Sequence, residues 1–312
     1  LAPLGVILLG LATSDSRRSR AITTLAFGIG WFGPGMVWMW FLTAPGYVVT
    51  TLLFAGWHAI AAAISPRAPA PRAIAHTLIE AARLVAPFGG VPLATIAIGQ
   101  AGGPLLPLAR VGGVLLITWV VLHIGLSIGS RLAAALDRHD DMPSWAGILA
   151  GPLVAILLAS LAPTGRDIGS AMTIAAVQGG GRQGTSALEV PSRLVTEAHL
   201  AATASIPADG RVDVVLWPEN TIDVNGVAFV DSAQADAVAM EAARLGVPML
   251  VGVTEDASTA RDLELAANDG RGFVNAHYVV TGEGAADGAY VKVRRVPYGE
   301  YVPLRDLLES LG

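Results

Sequence analysis

The sequence predicts a multi-pass α-helical membrane bundle followed by an α/β domain, and three observations carry that prediction. The 312 residues are 53% hydrophobic and only 14% charged, against about a quarter charged in ordinary soluble domains; the mean hydropathy is +0.56. The charge is unevenly split: residues 1–165 hold nine arginines and five acids, whereas residues 166–312 hold eleven basic and twenty acidic residues. Long uncharged runs fill the first part, and short apolar runs between polar stretches fill the second.

The chain opens on an apolar stretch, Leu1–Ala12, with no Met start and no charged leader region. It reads as the tail of a spanning helix whose beginning is cut, not as a signal peptide. Uncharged runs from Ala21 to Leu42 and from Tyr47 to Ile64, separated by the turn Ala44-Pro45-Gly46, are long enough to cross about 30 Å of hydrocarbon. Further spans are expected at about Ala73–Pro87, Gly112–Ser130 and Trp145–Leu161, giving five to six in residues 1–163, the first partial. Pro87, Gly89, Gly90, Pro92, Gly102, Gly103, Pro104 and Pro107 predict an irregular, re-entrant or surface segment. Arg17/Arg18/Arg20, Arg67/Arg72 and Arg131/Arg138 mark the cytoplasmic side by the positive-inside rule, so the chain after Pro163 is expected outside the cytoplasm. Trp31, Phe32, Trp38, Trp40 and Phe41 read as an interfacial belt.

From residue 170 to 312 the pattern becomes that of an α/β domain. AMTIAAVQ (171–178), VDVVLW (212–217), VPMLVGV (247–253) and AHYVV (276–280) read as buried strands, and Ser192–Ala202 and Ser232–Leu245 as amphipathic helices. Apolar strands alternating with helices imply a sheet covered by helices.

Several functions are excluded. A pI near 5.7 without a basic stripe argues against nucleic-acid binding. The absence of cysteine rules out disulfides, thiolate metal sites and a thiol nucleophile within these residues. His58, His76, His123, His139, His199 and His277 show no metal-ligand spacing. Gly179-x-Gly181-x-x-Gly184 has the form of a dinucleotide fingerprint, but Pro191 precedes the next helix, whereas the fingerprint needs a helix opening on its third glycine. No metal or soluble cofactor is therefore expected.

Five charged positions stand out. Glu219 follows the strand VDVVLW and Pro218, at a strand C-terminal end where α/β sheets bind ligands. Lys292 is the single lysine beside nineteen arginines, and lysine supplies a compact point charge of tunable pKa; an Arg-rich composition alone would also make lysine scarce. It enters a stretch with Pro297, Tyr298, Gly299, Glu300, Tyr301 and Pro303, which implies a rigid loop able to position functional groups. Glu300 could pair with Lys292, Arg294 or Arg295. Glu80 and Arg83 are charges within an expected span, which tend to mark function; at i,i+3 they could pair with each other or meet a lipid headgroup.

VVLWPEN (214–220) and YVKVRRVPYGEYVPL (290–304) together resemble the two central motifs of the apolipoprotein N-acyltransferases, membrane-embedded members of the nitrilase superfamily: WPE after a strand, then Y-x-K and V-P-[FY]-G-E-Y-x-P. Ile79-Glu80-Ala81-Ala82-Arg83, Pro87-Phe88-Gly89-Gly90 and Gly99-Gln100 resemble the family's E-x-x-R…fGxPW…G-x-Q stretch, and VQGGG (177–181) stands where its nitrilase domain begins. The resemblance implies a nitrilase-like αββα sandwich, C-terminally incomplete, after the bundle, and a chain truncated at both ends. It implies Glu219 as catalytic base, Lys292 as oxyanion-stabilising lysine and Glu300 as the supporting glutamate, with Tyr298, Tyr301, Glu80 and Arg83 as substrate contacts. The family's nucleophilic cysteine is expected beyond Gly312, so the chain as it stands is expected to be inactive. Where the family continues with an Asn and a later Trp after its first strand, this chain has Gly-Gly-Gly-Arg-Gln-Gly. The implied partners are a phospholipid acyl donor, a diacylglyceryl-modified apolipoprotein acceptor and the bilayer of the cell membrane, with the protein acting as a monomer. A membrane-tethered nitrilase-type amidase and a non-catalytic nitrilase-like membrane partner are the rival readings.

Overall fold

A computed structural model describes residues 2–12, 16–41, 43–136, 143–166, 168–180, 191–260, 272–294 and 305–310. The chain divides into two compact units, Leu1–Arg166 and Asp167–Gly312.

The first unit is helical. Its helices are α1 (Ala2–Leu11), α2 (Arg17–Gly35), α3 (Ala44–Ile64), α4 (Pro69–Arg83), α5 (Ala109–Leu136) and α6 (Trp145–Leu161). Short hydroxylated residues start three of them: Ser16, Thr43 and Ser144 each accept a backbone N–H of the first turn, satisfying a donor that the helix leaves unpaired. Among the described residues two helical stretches are long and apolar enough to cross a membrane: Ala44–Ile64, with mean hydropathy 1.6, and Leu106–Leu136, with 2.2. The expected span at 21–42 is instead α2 followed by a 3₁₀ turn, Val37–Phe41, and the span expected at about 73–87 is the 15-residue α4, about 22 Å long at 1.5 Å per residue. Residues 84–95 are irregular, followed by 3₁₀ turns at Ile96–Gln100 and Leu106–Leu108, as the Pro and Gly punctuation predicts.

Alongside its buried apolar clusters, this unit turns apolar side chains of α4 and α6 outward, unlike a water-soluble bundle. The buried residues of α4 are Arg72, Ala73, His76, Glu80 and Arg83, while Ile74 and Leu78 on the same helix are exposed. Leu149, Leu153, Leu157 and Leu161 of α6 are likewise exposed. Apolar side chains facing outward, with the charged stripe of α4 turned inward, are expected where the solvent is lipid. Close helix contact comes from small residues: Gly125 and Gly129 of α5 face α1, and a Cβ on Gly129 would lie 2.7 Å from the Cα of Gly10. Such G-x-x-x-G spacing lets backbones approach where no hydrophobic effect drives association.

The second unit is a six-stranded mixed sheet, β1 (Ile174–Ala176), β2 (Val214–Leu216), β3 (Ile222–Val224), β4 (Met249–Asp256), β5 (Phe273–Thr281) and β6 (Gly284–Val291), with helices α7 (Ser192–Ala204), α8 (Ala233–Leu245) and α9 (Arg305–Ser310). The order is β1-β2-β4-β5-β6, with β3 also on β4. β1, β2, β3 and β4 run parallel, and β5 and β6 antiparallel to their neighbours. Alternation sorts the side chains. Val215, Val251, Tyr278 and Val280 join Val238 and Leu245 of α8 in the core. The rung Ala176–Leu216–Leu250–Val279 points to the other face, where Ile174, Leu216, Phe273 and Val279 are exposed. The strands β3 and β6 do not show in the apolar pattern: β3 has three residues, and β6 reads GAADGAYV.

A buried carboxylate ties the far end of the core. Glu255, 1% exposed, accepts the Phe229 N–H at 2.8 Å and the Tyr278 hydroxyl. Burial first, then the hydrogen bond to Glu255 and its charge, push the Tyr278 phenol well above the usual tyrosine range. The folded state thus keeps a proton that the unfolded chain loses near the ordinary pKa of about 10. This contribution to stability is complete below about pH 10 and is lost as pH rises beyond it. Tyr278→Phe is expected to cost about 1–3 kcal/mol at neutral pH by leaving Glu255 one donor short. The gap to the unsubstituted protein should narrow above about pH 10. Thermal melting of the two proteins across pH 7–11, followed by circular dichroism, checks both statements.

Candidate active site

Glu219 is placed by an interruption in the strand that runs along β4. Leu216 pairs with Leu250 and Ile222 with Val253, so six steps on one side match three on the other. The surplus residues, Pro218, Glu219 and Asn220, leave the sheet and return. Pro218 has no N–H to offer a ladder. Asn220 sits in the left-handed region at φ 57°, which Asn tolerates better than most residues, and its Oδ1 accepts the Thr254 hydroxyl at 2.8 Å. The strand is anchored on both sides of the excursion. The Trp217 N–H donates to the Leu250 carbonyl at 2.8 Å and the Thr221 N–H to the Gly252 carbonyl at 3.0 Å. Trp217, fully buried, donates its indole N–H to Thr203 of α7 at 2.9 Å. Thr196 of α7 donates to the Thr221 carbonyl at 2.8 Å.

The excursion lies directly over Gly252. A Cβ there would meet the Pro218 carbonyl oxygen and stand 2.7 Å from the Cα of Glu219. Only glycine leaves that space.

Lys292 follows the last residue of β6. Its backbone N–H donates to the Asn275 carbonyl of β5 at 2.9 Å, and its Nζ reaches Glu219 Oε1 at 2.7 Å. The Asn275 side-chain amide donates to the same oxygen. Asn275, His277, Tyr290, Val293 and Arg294 join Glu219 and Lys292 around a cleft of about 440 Å³. It opens on the sheet face that α7 and α8 leave bare. His277 approaches the Trp217 carbonyl with Nε2 at 3.3 Å, closing the floor. Glu219 is half exposed and Lys292 about a quarter, so both are reachable. The sheet thus joins two of the three expected catalytic residues, 73 positions apart in sequence. Glu300, Tyr298 and Tyr301 lie outside the described residues.

Glu80 and Arg83 pair with each other in the helical unit. Arg83 donates to both Glu80 oxygens at 2.6 and 2.8 Å and to the Leu93 carbonyl at 2.6 Å, and its guanidinium lies over the Phe32 and Phe54 rings at 4.5 and 4.4 Å. His58 Nε2 meets Glu80 Oε1 at 3.0 Å, and His58 Nδ1 meets His76 Nδ1 at 3.0 Å. With both rings neutral, His58 donates to Glu80 and accepts from His76. Glu80 and Arg83 are 3% and 1% exposed, so this geometry presents them to the protein and not to a lipid headgroup. Among the described residues no cluster of three or more His, Cys, Asp or Glu is arranged to hold a metal.

Asn275, Gly252 and Thr254 are the site residues that sequence reasoning missed. The available signal was local: Asn is depleted in strands, and in FVNAHYVV the polar Asn275 and His277 alternate with buried Val274, Ala276 and Tyr278.

Comparison with known proteins adds a family likeness to this geometry. Residues 1–127 match the family model described as the apolipoprotein N-acyltransferase N-terminal domain. The chain is a relative of the apolipoprotein N-acyltransferases. It is 31% identical to the apolipoprotein N-acyltransferase of Pseudomonas putida over 228 residues, covering 71% of this chain and 40% of that protein. Similarity to the Mycolicibacterium smegmatis protein of the same name is 29% over 243 residues, covering 69% and 38%. The Sinorhizobium fredii protein is 36% identical over 125 residues, covering 38% and 21%. A match over 71% of the chain is longer than the helical unit alone, so the likeness to apolipoprotein N-acyltransferases reaches the sheet unit. The chain spans about 40% of the length of the P. putida relative.

Two substitutions test the placement of these residues. Gly252→Ala should force the excursion off β4 and cost about 1–3 kcal/mol, the usual penalty of overpacking. Glu80→Ala strands the buried Arg83 charge and should cost about 3–5 kcal/mol, whereas Arg193→Ala, which breaks the exposed Arg193–Glu197 pair, should cost at most about 1 kcal/mol. Thermal unfolding of the three variants in detergent measures the ranking.

Proposed function

We propose that this chain is part of an N-acyltransferase that moves an acyl chain from a phospholipid, by way of a thioester, to the N-terminal amine of diacylglyceryl-cysteine in an apolipoprotein. The observation that carries the reading is the convergence of Lys292 and Asn275 on one oxygen of Glu219, in a cleft on the open face of the sheet. The likeness to apolipoprotein N-acyltransferases supplies the substrate class.

In this reading Glu219 is the base that takes the proton from an attacking thiol. The thiolate adds to the phospholipid ester carbonyl, and Lys292 stabilises the oxyanion that forms. Collapse breaks the ester bond; the departing lysophospholipid alkoxide takes the proton back from Glu219, leaving the thioester. In the second half the acceptor amine attacks the thioester carbonyl, gives its proton to Glu219, and the thiolate leaves and is reprotonated. These 312 residues hold no cysteine, so the thiol comes from outside them. Glu300 backs the Lys292 ammonium, and Tyr298 and Tyr301 contact substrate.

The same reading sets the helical unit in the cell membrane as a multi-pass domain, with the sheet unit outside the cytoplasm as the first part of a nitrilase-like αββα sandwich. The polar inward face of α4 and the apolar outward faces of α4 and α6 support the first statement. The uncovered rung Ala176–Leu216–Leu250–Val279, on the face where a second layer would stack, supports the second. Lipid substrates enter such a protein sideways from the bilayer.

In the full-length protein, Glu219→Gln and Lys292→Ala should each lower apolipoprotein N-acylation by about 10²-fold or more while carbonate-resistant membrane insertion stays unchanged. Mass spectrometry of lipoprotein N-termini reads the outcome, and normal triacylation in either variant overturns the assignment.

A further inference from the structure

We infer that Asn275 is the positioning residue of this site, setting the orientation of the Glu219 carboxylate for proton transfer; the inference rests on the acyl-transfer reading. Asn275 stands in β5 on the sheet face opposite α7 and α8, where an asparagine gains nothing from strand propensity. Its amide is committed instead to Glu219 Oε1. An ionised carboxylate only accepts, so the amide nitrogen must face it and the amide oxygen must face away.

Two donors meet at that oxygen, but they constrain it differently. Lys292 carries its ammonium on a flexible four-carbon stem, and that stem can follow the carboxylate as it turns. Asn275 has a short side chain on a strand paired along both edges, and cannot follow. The last torsion of a glutamate is broad, so a fixed donor narrows the swing of the carboxylate plane. The plane matters because a base accepts a proton along a lone pair in that plane, at hydrogen-bond distance.

The backbone shows the same division of labour. The Lys292 N–H donates to the Asn275 carbonyl at 2.9 Å, so both donors are tied to one place on β5. Thr254, the register partner of Asn275 on β4, donates to Asn220 at 2.8 Å. One rung of the sheet therefore grips two successive residues of the excursion, Glu219 through Asn275 and Asn220 through Thr254. Among the described residues, the other charged or titratable groups lining the cleft are Lys292, His277, Tyr290 and Arg294.

The test uses the full-length, membrane-embedded protein, with phospholipid as donor and a diacylglyceryl-peptide as acceptor. Asn275→Ala should lower kcat by about 10- to 100-fold and leave KM for both substrates within about twofold, because orientation and not binding is lost. The acidic limb of its kcat/KM–pH profile should move to higher pH, since a donor to the carboxylate has gone. Asn275→Asp, equal in size, adds a like charge and should move the limb further in the same direction. A difference-infrared titration of the Glu219 carboxylate, with Glu219→Gln as the blank, reads the same displacement without turnover. An unsubstituted protein that transfers no acyl chain defeats the acyl-transfer reading, and the infrared titration then decides for Asn275 alone. An unmoved carboxylate midpoint in both variants, or an activity loss that merely tracks loss of folded protein, overturns the inference.

Discussion

The geometry of the sheet unit depends on a steric vacancy in β4. The three-residue excursion that carries Glu219 is stacked on the strand at Gly252, where any Cβ would collide with the Pro218 carbonyl and the Glu219 Cα. Everything else follows from that approach. With the excursion seated, its return at Thr221 bonds the Gly252 carbonyl, Thr254 reaches Asn220, and Asn275 and Lys292 reach Glu219. With it lifted by the width of a methyl group, the bonds from Thr254 and Asn275 would stretch beyond hydrogen-bond range, because those groups sit on strands that cannot follow.

The helical unit solves a different problem, that of holding charge in a low-polarity interior. A buried ion pair is costly unless its remaining hydrogen-bonding capacity is used. Glu80 takes both bonds from Arg83 and a third from His58, and Arg83 spends its other terminal nitrogen on the Leu93 carbonyl. That last bond reaches into the irregular segment 84–95, where Trp31 also donates to the Ala94 carbonyl at 2.7 Å. Backbone outside a helix needs protein partners at membrane depth. Arg83 and Trp31 donate to carbonyls of this segment, so a buried charge also pins irregular backbone.

Much of this was legible in the sequence, and the boundary between legible and illegible is physical. Runs without charge gave α3 and α6 nearly to the residue, and α7 and α8 announced themselves by amphipathic spacing. Glu219 stood out because it follows an apolar strand and a proline, and Lys292 because it is the single lysine and enters a stretch rich in Pro and Gly. Three things left no one-dimensional trace. The strands β3 and β6 exist through pairing with β4 and β5, not through their own composition. The meaning of Gly252 depends on what lies above it in space. The inward face of α4 reads as an apolar span broken by charges until its neighbours are known, because a helix in lipid buries its polar stripe.

Exposure decides what the Glu219–Lys292 pair is for. At 51% and 27% exposure, an ion pair contributes about 0–1 kcal/mol to stability, too little for the pair to be a fastener of β6 to the excursion. The attraction between two unit charges rises about fourfold when the effective dielectric falls from that of water to about 20, and the same factor applies to an ammonium facing a developing oxyanion. The pair therefore gains its strength only when the cleft is covered and dry. In the proposed acyl-transfer reading, charged residues on the partly apolar face beside Leu216 and Val279 stand where a layer packing on that face, or an entering lipid acyl chain, would remove the water. Substrate binding and activation of the charged group then become one event.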